Sequence, residues 1–524
     1  MGITICEKHN YQTFMSSCEH ITAFIKRKYE KEVSAQTLDS VTLIRNAITK
    51  FIGSPIMYAY CSDCAKNYSL PTGKISQSRI LLFSLPFIKR FSKNTDFICS
   101  ECIFEDLFNL NLQDKYDKDF EYPFMNETRK VEEFDKNSLF LHIKAIEDDF
   151  QVATYAKMNI AVERGRGSWI WTSEGEKYLD LYGGHAVCAT GHSHPHVVEA
   201  LKDQAEKVLF YSNLVYSEIR AKAAEKLVSI APESITKAFF CNSGTEANEN
   251  AMRMARFATK REKIITFSGG FHGRTADAIS ATFLGKYREI GKPNVPGHVC
   301  AEFGNLDSVR ELADSETAAI MLEPIQSMAG VTESSPEFFI GLREICNEHG
   351  IVLIFDEVQT GIGRTGNWFF SGSDLAGGVE ADIISLAKSL GSGVPVGACM
   401  VNDCISEVIK NGDLGTTFGG GMLAMAAVLA TIEAIETDKM RENISEIENY
   451  LRERLKEIEE VVGLHGKGGL LGIEFSENCK PFHAKLLENK IITGTSSNPK
   501  ILRLLPPLCV KKEEIDLLIE ALQR

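Results

Sequence analysis

Four short segments place polar or glycine residues directly after an apolar run, and their residue types suit one kind of chemistry. In "AFFCNSGTEANEN", Ser243, Gly244 and Thr245 follow "AFF" and open a helical stretch. A helix N-terminus offers unpaired N–H groups and partial positive charge, which suits a phosphate, and glycine lets the backbone approach closely. Alone, Ser-Gly-Thr reads as a turn with an N-cap. In "ITFSGGFHGRT", Phe271 lies among glycines beside His272 and Arg274. An aromatic there can stack on a flat ligand, and an arginine can hold a carboxylate bidentately. Alone, the segment reads as a surface loop with one buried phenylalanine. In "IVLIFDEVQTG" an apolar run stops at Asp356, with Val358 and Gln359 just beyond. A carboxylate at the end of a buried strand needs a partner or an exit to solvent. In "DIISLAKSLGSGVPVGA", Lys388 stands between "IISLA" and a glycine-rich loop. Lysines are mostly solvated surface residues, but one lodged there is a candidate Schiff-base amine.

The four together say more than any one. A phosphate cradle, an aromatic stacker, a strand-end carboxylate and a lysine, in that order, describe a site for pyridoxal 5′-phosphate. That cofactor needs an acidic partner for its pyridine nitrogen, so that the ring stays protonated and acts as an electron sink. Asp356 is the residue read as that partner.

The elements that must position these residues follow from the pattern beyond about residue 150. Helical stretches such as "EANENAMRMARFATK" alternate with short apolar runs: "KIITF", "AAIMLEP", "IVLIF", "DIISLA" and "GACMV". Such alternation predicts an α/β fold with a mainly parallel sheet and crossover helices, its ligand beyond the carboxyl ends of the strands. "WIWT", a turn "SEGE" and "YLDL" predict a hairpin. The tail reads helix, strand, helix from "MRENISEIENYLRERLKEIEE", "GLLGIEF" and "KKEEIDLLIEALQR". A small α+β domain from residues 150–199 and 416–524 would then flank a large domain at about 200–415. Residues 106–149 read as a charged, partly helical connector.

The segments "FCNSGTEANENAMRMAR", "FHGRT", "LIFDEVQTGIGRTG", "LAKSLGSGVPVGA" and "GTTFGGG" resemble the class III aminotransferases, pyridoxal-phosphate enzymes of fold type I. "EKYLDLYGGHAVCATGHSHPHVVEAL" and "GTSSNPKILRLLPPL" resemble the acetylornithine and succinylornithine branch. The resemblance covers about seven tenths of the chain and implies roles residue by residue. Lys388 and Asp356 would be catalytic. Ser243, Gly244 and Thr245 would surround the phosphate, Phe271 and Val358 would flank the ring, and His272 and Gln359 would complete the cofactor site. Thr417 would reach the phosphate of a neighbouring subunit, with Thr416 near the substrate, so a homodimer with shared sites is implied. Arg274 and Arg503 would grip substrate carboxylates, with Glu323 pairing with Arg503 and releasing it when the keto acid binds. The implied reaction moves the ω-amino group of N-acetylornithine or N-succinylornithine to 2-oxoglutarate, in arginine synthesis. Ornithine and 4-aminobutyrate remain alternative donors. A departure is Gly421-Met422, where the family usually has Asn-Pro. His185 stands at a variable position on the substrate side and reads as structural. His192, His194 and His196 read as a turn and not as a metal site.

The first hundred residues need another account. Cys6, His9, Cys18, His20, Cys61, Cys64, Cys99 and Cys102 supply eight ligands, the number two tetrahedral zinc sites need. A Cys/His-rich module over residues 1–105 is therefore expected, its zinc replacing the core such a short segment lacks. A non-catalytic adaptor, with this module on an inactive aminotransferase shell, is the alternative from another functional class. Up to residue 140 there are 18 basic and 18 acidic side chains, so the whole net charge of −14 on the 524 residues lies beyond. That charge argues against nucleic-acid binding. No apolar run is long enough for a membrane span, and the start has no signal-peptide pattern, so a cytoplasmic protein with reduced cysteines is expected.

Overall fold

The computed structural model describes residues 16–18, 95–97 and 136–524. Ser16–Cys18 and Thr95–Phe97 pair as antiparallel strands within a unit spanning Met1–Glu133. Of the expected zinc ligands, Cys6, His9, His20, Cys61, Cys64, Cys99 and Cys102 lie outside the described residues, and only the backbone of Cys18 lies inside them.

The second unit, Phe134–Arg524, is built on a seven-stranded sheet. Its strands are β1 (Ile235–Cys241), β2 (Lys263–Phe267), β3 (His298–Ala301), β4 (Thr317–Leu322), β5 (Val352–Asp356), β6 (Ile383–Leu386) and β7 (Gly397–Asn402). They lie in the order β1-β7-β6-β5-β4-β2-β3. All neighbours from β6 to β3 pair in parallel; β7 runs antiparallel to both β6 and β1. Every residue of β4, β5 and β6 is buried. Burial on both faces is why these strands read as unbroken apolar runs instead of alternating ones.

Helix α1 (Gly244–Thr259) follows β1 and turns Ala247, Ala251, Met252, Met254 and Ala255 to the core, an amphipathic spacing. Helix α2 (Pro336–His349) carries proline in its first turn and ends at Gly350, whose φ of 62° continues the chain into β5. Phe339 of α2 meets Phe355 of β5 edge-on, with ring centroids 5.8 Å apart. Helix α3 (Met422–Thr437) is apolar almost all round and packs against the helices Pro195–Lys207 and Glu218–Ser229.

Two smaller sheets flank this core. Val162–Arg166, Trp169–Thr172 and Lys177–Asp180 form an antiparallel ribbon. Ile491–Ile492 joins its edge in parallel, Ile491 opposite Leu179. Val461–Lys467, Leu470–Phe475, Ile501–Leu504 and Gly494–Thr495 make the other sheet. The ribbon leads directly into Tyr182 and His185, and strand Ile501–Leu504 carries Arg503. Among the described residues no helix is long and apolar enough to cross a membrane.

Candidate active site

The site lies where β4, β5 and β6 end. Asp356 is the last residue of β5, is 3% exposed, and stands opposite Ser385 of β6, three residues before Lys388. Its Oδ2 accepts hydrogen bonds from Asn248 Nδ2 at 2.7 Å and His272 Nδ1 at 2.8 Å, and its Oδ1 accepts from the Val358 amide at 3.1 Å. Three donors hold the carboxylate in one orientation, and Oδ1 keeps a lone pair for a further N–H. Asn248 is itself fixed, donating to the His272 carbonyl at 2.7 Å and accepting from the Ser385 hydroxyl. Sequence reasoning missed Asn248 and Ser385. The available signal was spacing: Asn248 lies four residues after Gly244, on the same side of the same helix.

The adjoining Glu357 has a different task. It accepts from the Phe370 amide at 2.6 Å and the Ser371 amide at 2.8 Å, tying down the loop beyond β5. Burial pushes its carboxyl up to about 7 against those bonds.

Lys388 opens a single 3₁₀ turn, Lys388–Gly391, with a left-handed φ of 41°. Burial pulls its amine down to about 8, opposed by Asp356 and Glu323 and reinforced by Arg503 and Arg364. Asp356 and Lys388 lie at and just beyond the ends of the neighbouring parallel strands β5 and β6. No hydrogen bond or ion pair to Lys388 Nζ is found among the described residues.

The cradle is formed by α1. Ser243 is its N-cap, its hydroxyl accepting from the Glu246 amide at 3.3 Å. The amides of Gly244 and Thr245 have no carbonyl within the helix to reach. A Cβ on Gly244 would lie 2.9 Å from Val358 Cγ1 and 3.6 Å from the Ala387 Cβ, so three of the four segments meet at one point. The fourth joins through Gly273, whose φ is 141°; a Cβ there would overlap the Thr245 hydroxyl at 2.2 Å. Phe271 is partly buried, edge-on to Tyr287 at 5.3 Å, and Arg274 stacks over Tyr287 at 5.3 Å and Tyr155 at 5.7 Å. Gln359 is buried, with Oε1 unpartnered among the described residues.

Arg503 is 4% exposed and is held by neutral groups alone: the Thr495 carbonyl at 2.8 Å, the Ser327 hydroxyl at 3.1 Å and the Tyr182 hydroxyl at 2.6 Å. The expected ion pair between Glu323 and Arg503 is therefore corrected. Glu323, just past β4, instead accepts from the Phe271 amide at 2.8 Å. Its direction follows the strand end and the loop it braces, on the Asp356 side of the site. Burial first, and then Asp356, raises its carboxyl to about 7.

Thr416 accepts from Asn242 Nδ2 at 3.2 Å and from the Gly419 amide at 3.1 Å, while Thr417 and Phe418 are exposed. Gly421 is the N-cap of α3, which begins regularly at Met422. His192, His194 and His196 face three separate carboxylates, Asp180, Asp438 and Glu433. Among the described residues no three metal-ligating side chains converge.

These residues fit pyridoxal 5′-phosphate. A helix start at Gly244, a carboxylate oriented by three donors, and a lysine amine and a glutamine oxygen without partners among the described residues are carried by segments that converge near Gly244.

Comparison with known proteins agrees with this geometry. A family profile described as "Aminotransferase class-III" matches residues 150–524. Acetylornithine aminotransferase of Archaeoglobus fulgidus is 42% identical over 368 residues, covering 70% of this chain and 96% of that protein. Among solved structures, acetylornithine aminotransferase of Elizabethkingia anophelis superposes with a TM-score of 0.64 at 27% identity, over 73% of this chain and 98% of that one. Ornithine aminotransferase of Toxoplasma gondii, in a structure described as having partial occupancy of PLP at its active site, gives 0.67 at 26% identity, over 72% and 92%.

Proposed function

Because the chain belongs to the class III aminotransferases, we propose that it transfers the ω-amino group of N-acetylornithine, or N-succinylornithine, to 2-oxoglutarate, giving the semialdehyde and glutamate in arginine synthesis. The observation that supports this reading is the approach of Val358 and Ala387 to Gly244 at the start of α1, with Asp356 ending β5 and Lys388 following β6.

When bound, pyridoxal phosphate supplies a protonated pyridine ring that draws electrons from the substrate carbon bearing the nitrogen. The chain supplies the rest. Gly244 and Thr245 offer amide N–H groups to the phosphate. Phe271 and Val358 would hold the ring faces, and Gln359 would hydrogen-bond the ring oxygen through its amide N–H. Asp356, kept in place by Asn248 and His272, holds the proton on the ring nitrogen. Lys388, with an amine near pKa 8, takes and returns a proton at the substrate carbon, since a base works best when its pKa lies near the working pH. Arg503 and Arg274 bind carboxylates. Arg503 has no carboxylate to shed, so 2-oxoglutarate meets a guanidinium already oriented by Ser327 and Tyr182.

A donor panel with 2-oxoglutarate, following glutamate formation, tests the reading. N-acetylornithine or N-succinylornithine is expected to exceed ornithine and 4-aminobutyrate by about tenfold or more in kcat/KM. A free ω-amine donor ranking first would replace this assignment.

A homodimer with shared sites belongs to the same proposal. Leu209, Tyr211, Leu214, Tyr216 and Phe418 are exposed on neighbouring loops, with Phe210 and Phe418 rings 5.1 Å apart, and Thr417 lies beside them. An apolar patch of this kind marks an interaction surface. For residues 1–105, structural zinc is proposed from the Cys and His spacing alone. Sedimentation and metal analysis of the full chain are expected to give a dimer with about two zinc ions per chain, two being what eight tetrahedral ligands hold. A monomer would remove the first statement and metal-free protein the second.

A further inference from the structure

Helix Glu218–Ser229 places Arg220 in its first turn, where the helix dipole disfavours a cation. The side chain is held by something other than its own helix. Its guanidinium donates to four backbone carbonyls drawn from two segments. Nε reaches Gly420 at 2.8 Å and Nη1 reaches Val215 at 2.9 Å, while Nη2 reaches Tyr211 at 3.1 Å and Ser212 at 3.4 Å. A planar fork of five N–H donors fixes direction at both of its ends, so one side chain sets the two segments in a single relative placement.

The first segment is the loop 208–217, which carries the exposed Leu209, Tyr211, Leu214 and Tyr216. The second is the turn 415–421, which carries Thr416 and Thr417 and leads into α3 at Gly421. Further contacts join the same two segments. Asn213 Nδ2 donates to the Gly419 carbonyl at 2.8 Å, and the Tyr211 amide donates to Met422 Sδ at 3.1 Å. Gly420 has a φ of 74°, and a Cβ there would lie 3.1 Å from Arg220 Nε. At the other end of the turn Thr416 is tied to Asn242, beside the cradle. The exposed Thr417 lies between these two anchors.

This turn is also where the chain departs from its family, with Gly421-Met422 in place of Asn-Pro. A proline would fix its own φ and restrict the residue before it, so its loss removes a local restraint. An asparagine has no room here: a Cβ on Gly421 would already lie 3.2 Å from Phe210 Cδ2. We propose that Arg220 is a positioning residue that replaces this restraint, strapping the turn 415–421 to the loop 208–217 so that Thr417 meets the neighbouring subunit's cofactor phosphate in one orientation. A threonine ordered beforehand does not have to be ordered by binding. This rests on the shared-site dimer reading above.

The test is a double-mutant cycle on cofactor affinity, read from quenching of intrinsic fluorescence as apoenzyme is titrated with pyridoxal phosphate, at a protein concentration where sedimentation shows the dimer. Arg220→Met keeps an apolar stem and removes every donor. It is expected to raise the cofactor dissociation constant about tenfold, and Thr417→Val is expected to do the same. Adding Arg220→Met to Thr417→Val should change the constant by less than about threefold, because the strap acts through that threonine. If circular dichroism shows Arg220→Met unfolded, Arg220→Lys runs the same cycle; its one ammonium does not span both segments, and a rise of about fivefold is expected. Unchanged affinity in the folded Arg220 variant overturns the proposal. An equal loss in both Thr417 backgrounds overturns it too, since the arginine would then only brace the fold. Wild-type affinity in Thr417→Val overturns the shared-site reading itself, and the proposal with it.

Discussion

Lys388→Ala is expected to lower transamination at least about 10³-fold, because it removes the amine proposed to exchange a proton with the substrate carbon. The fold should survive. The side chain makes no hydrogen bond or ion pair among the described residues, and alanine meets the φ of 41° no worse than lysine does. Stability measured without cofactor supplies a second, independent sign. Burial takes the folded amine down to about 8 from the ordinary 10.5 of a lysine, so burying its charge opposes folding below pH 8. As pH rises from about 8 to 10.5 the unfolded chain binds the extra proton, and wild-type stability should rise in that window. The alanine variant should lack the rise. Trinitrophenylation of Lys388, followed by peptide mass spectrometry, should likewise show a midpoint near pH 8, since only the neutral amine reacts. Turnover retained within tenfold would remove this lysine from the chemistry. A labelling midpoint near 10.5 would instead contradict the electrostatics described for its pocket.

Asp356→Asn carries the second large effect. Asparagine preserves the shape but not the charge that keeps a proton on the ring nitrogen, and kcat is expected to fall by about 10²–10⁴. KM for the donor should move far less, because the substrate carboxylates are assigned to Arg503 and Arg274 and not to Asp356. In the variant one oxygen can still accept from Asn248 Nδ2 and His272 Nδ1, but an NH2 group then faces the Val358 amide in place of Oδ1, with a stability loss of about 1–3 kcal/mol. Circular dichroism and thermal unfolding separate the two consequences. A well-folded variant whose kcat stays within a factor of ten would show that another group provides the counter-charge.

Much of this was readable in the chain because each chemical residue sits at a boundary between two kinds of local pattern. Asp356 ends an apolar run, Gly244 begins a helix, and Lys388 precedes a glycine loop; boundaries of that kind leave a trace in sequence. The supporting residues do not. Asn248 lies inside a helix, where only its distance from Gly244 hints at its direction. Tyr182 and Ser327, which hold Arg503, come from segments more than a hundred residues apart. Strand β3 is buried only at its two ends over four residues, too short a pattern to stand out. The antiparallel direction of β7 has no local signal either, because it is decided by which strands it lies between. The mistaken Glu323–Arg503 pair has the same origin: the end of β4 was visible, but where a side chain points beyond it depends on the loop at Phe271.

The pairing of Ile491–Ile492 with Leu179–Asp180 has a consequence for how the enzyme is made. At about 5–20 residues per second, synthesis needs tens of seconds or less to travel from the ribbon to its last partner strand. Throughout that interval the ribosome carries a nascent chain with an unsealed β-edge, and Arg503 has yet to be translated. The strand that closes this edge and Arg503 are therefore made within about a dozen residues of each other.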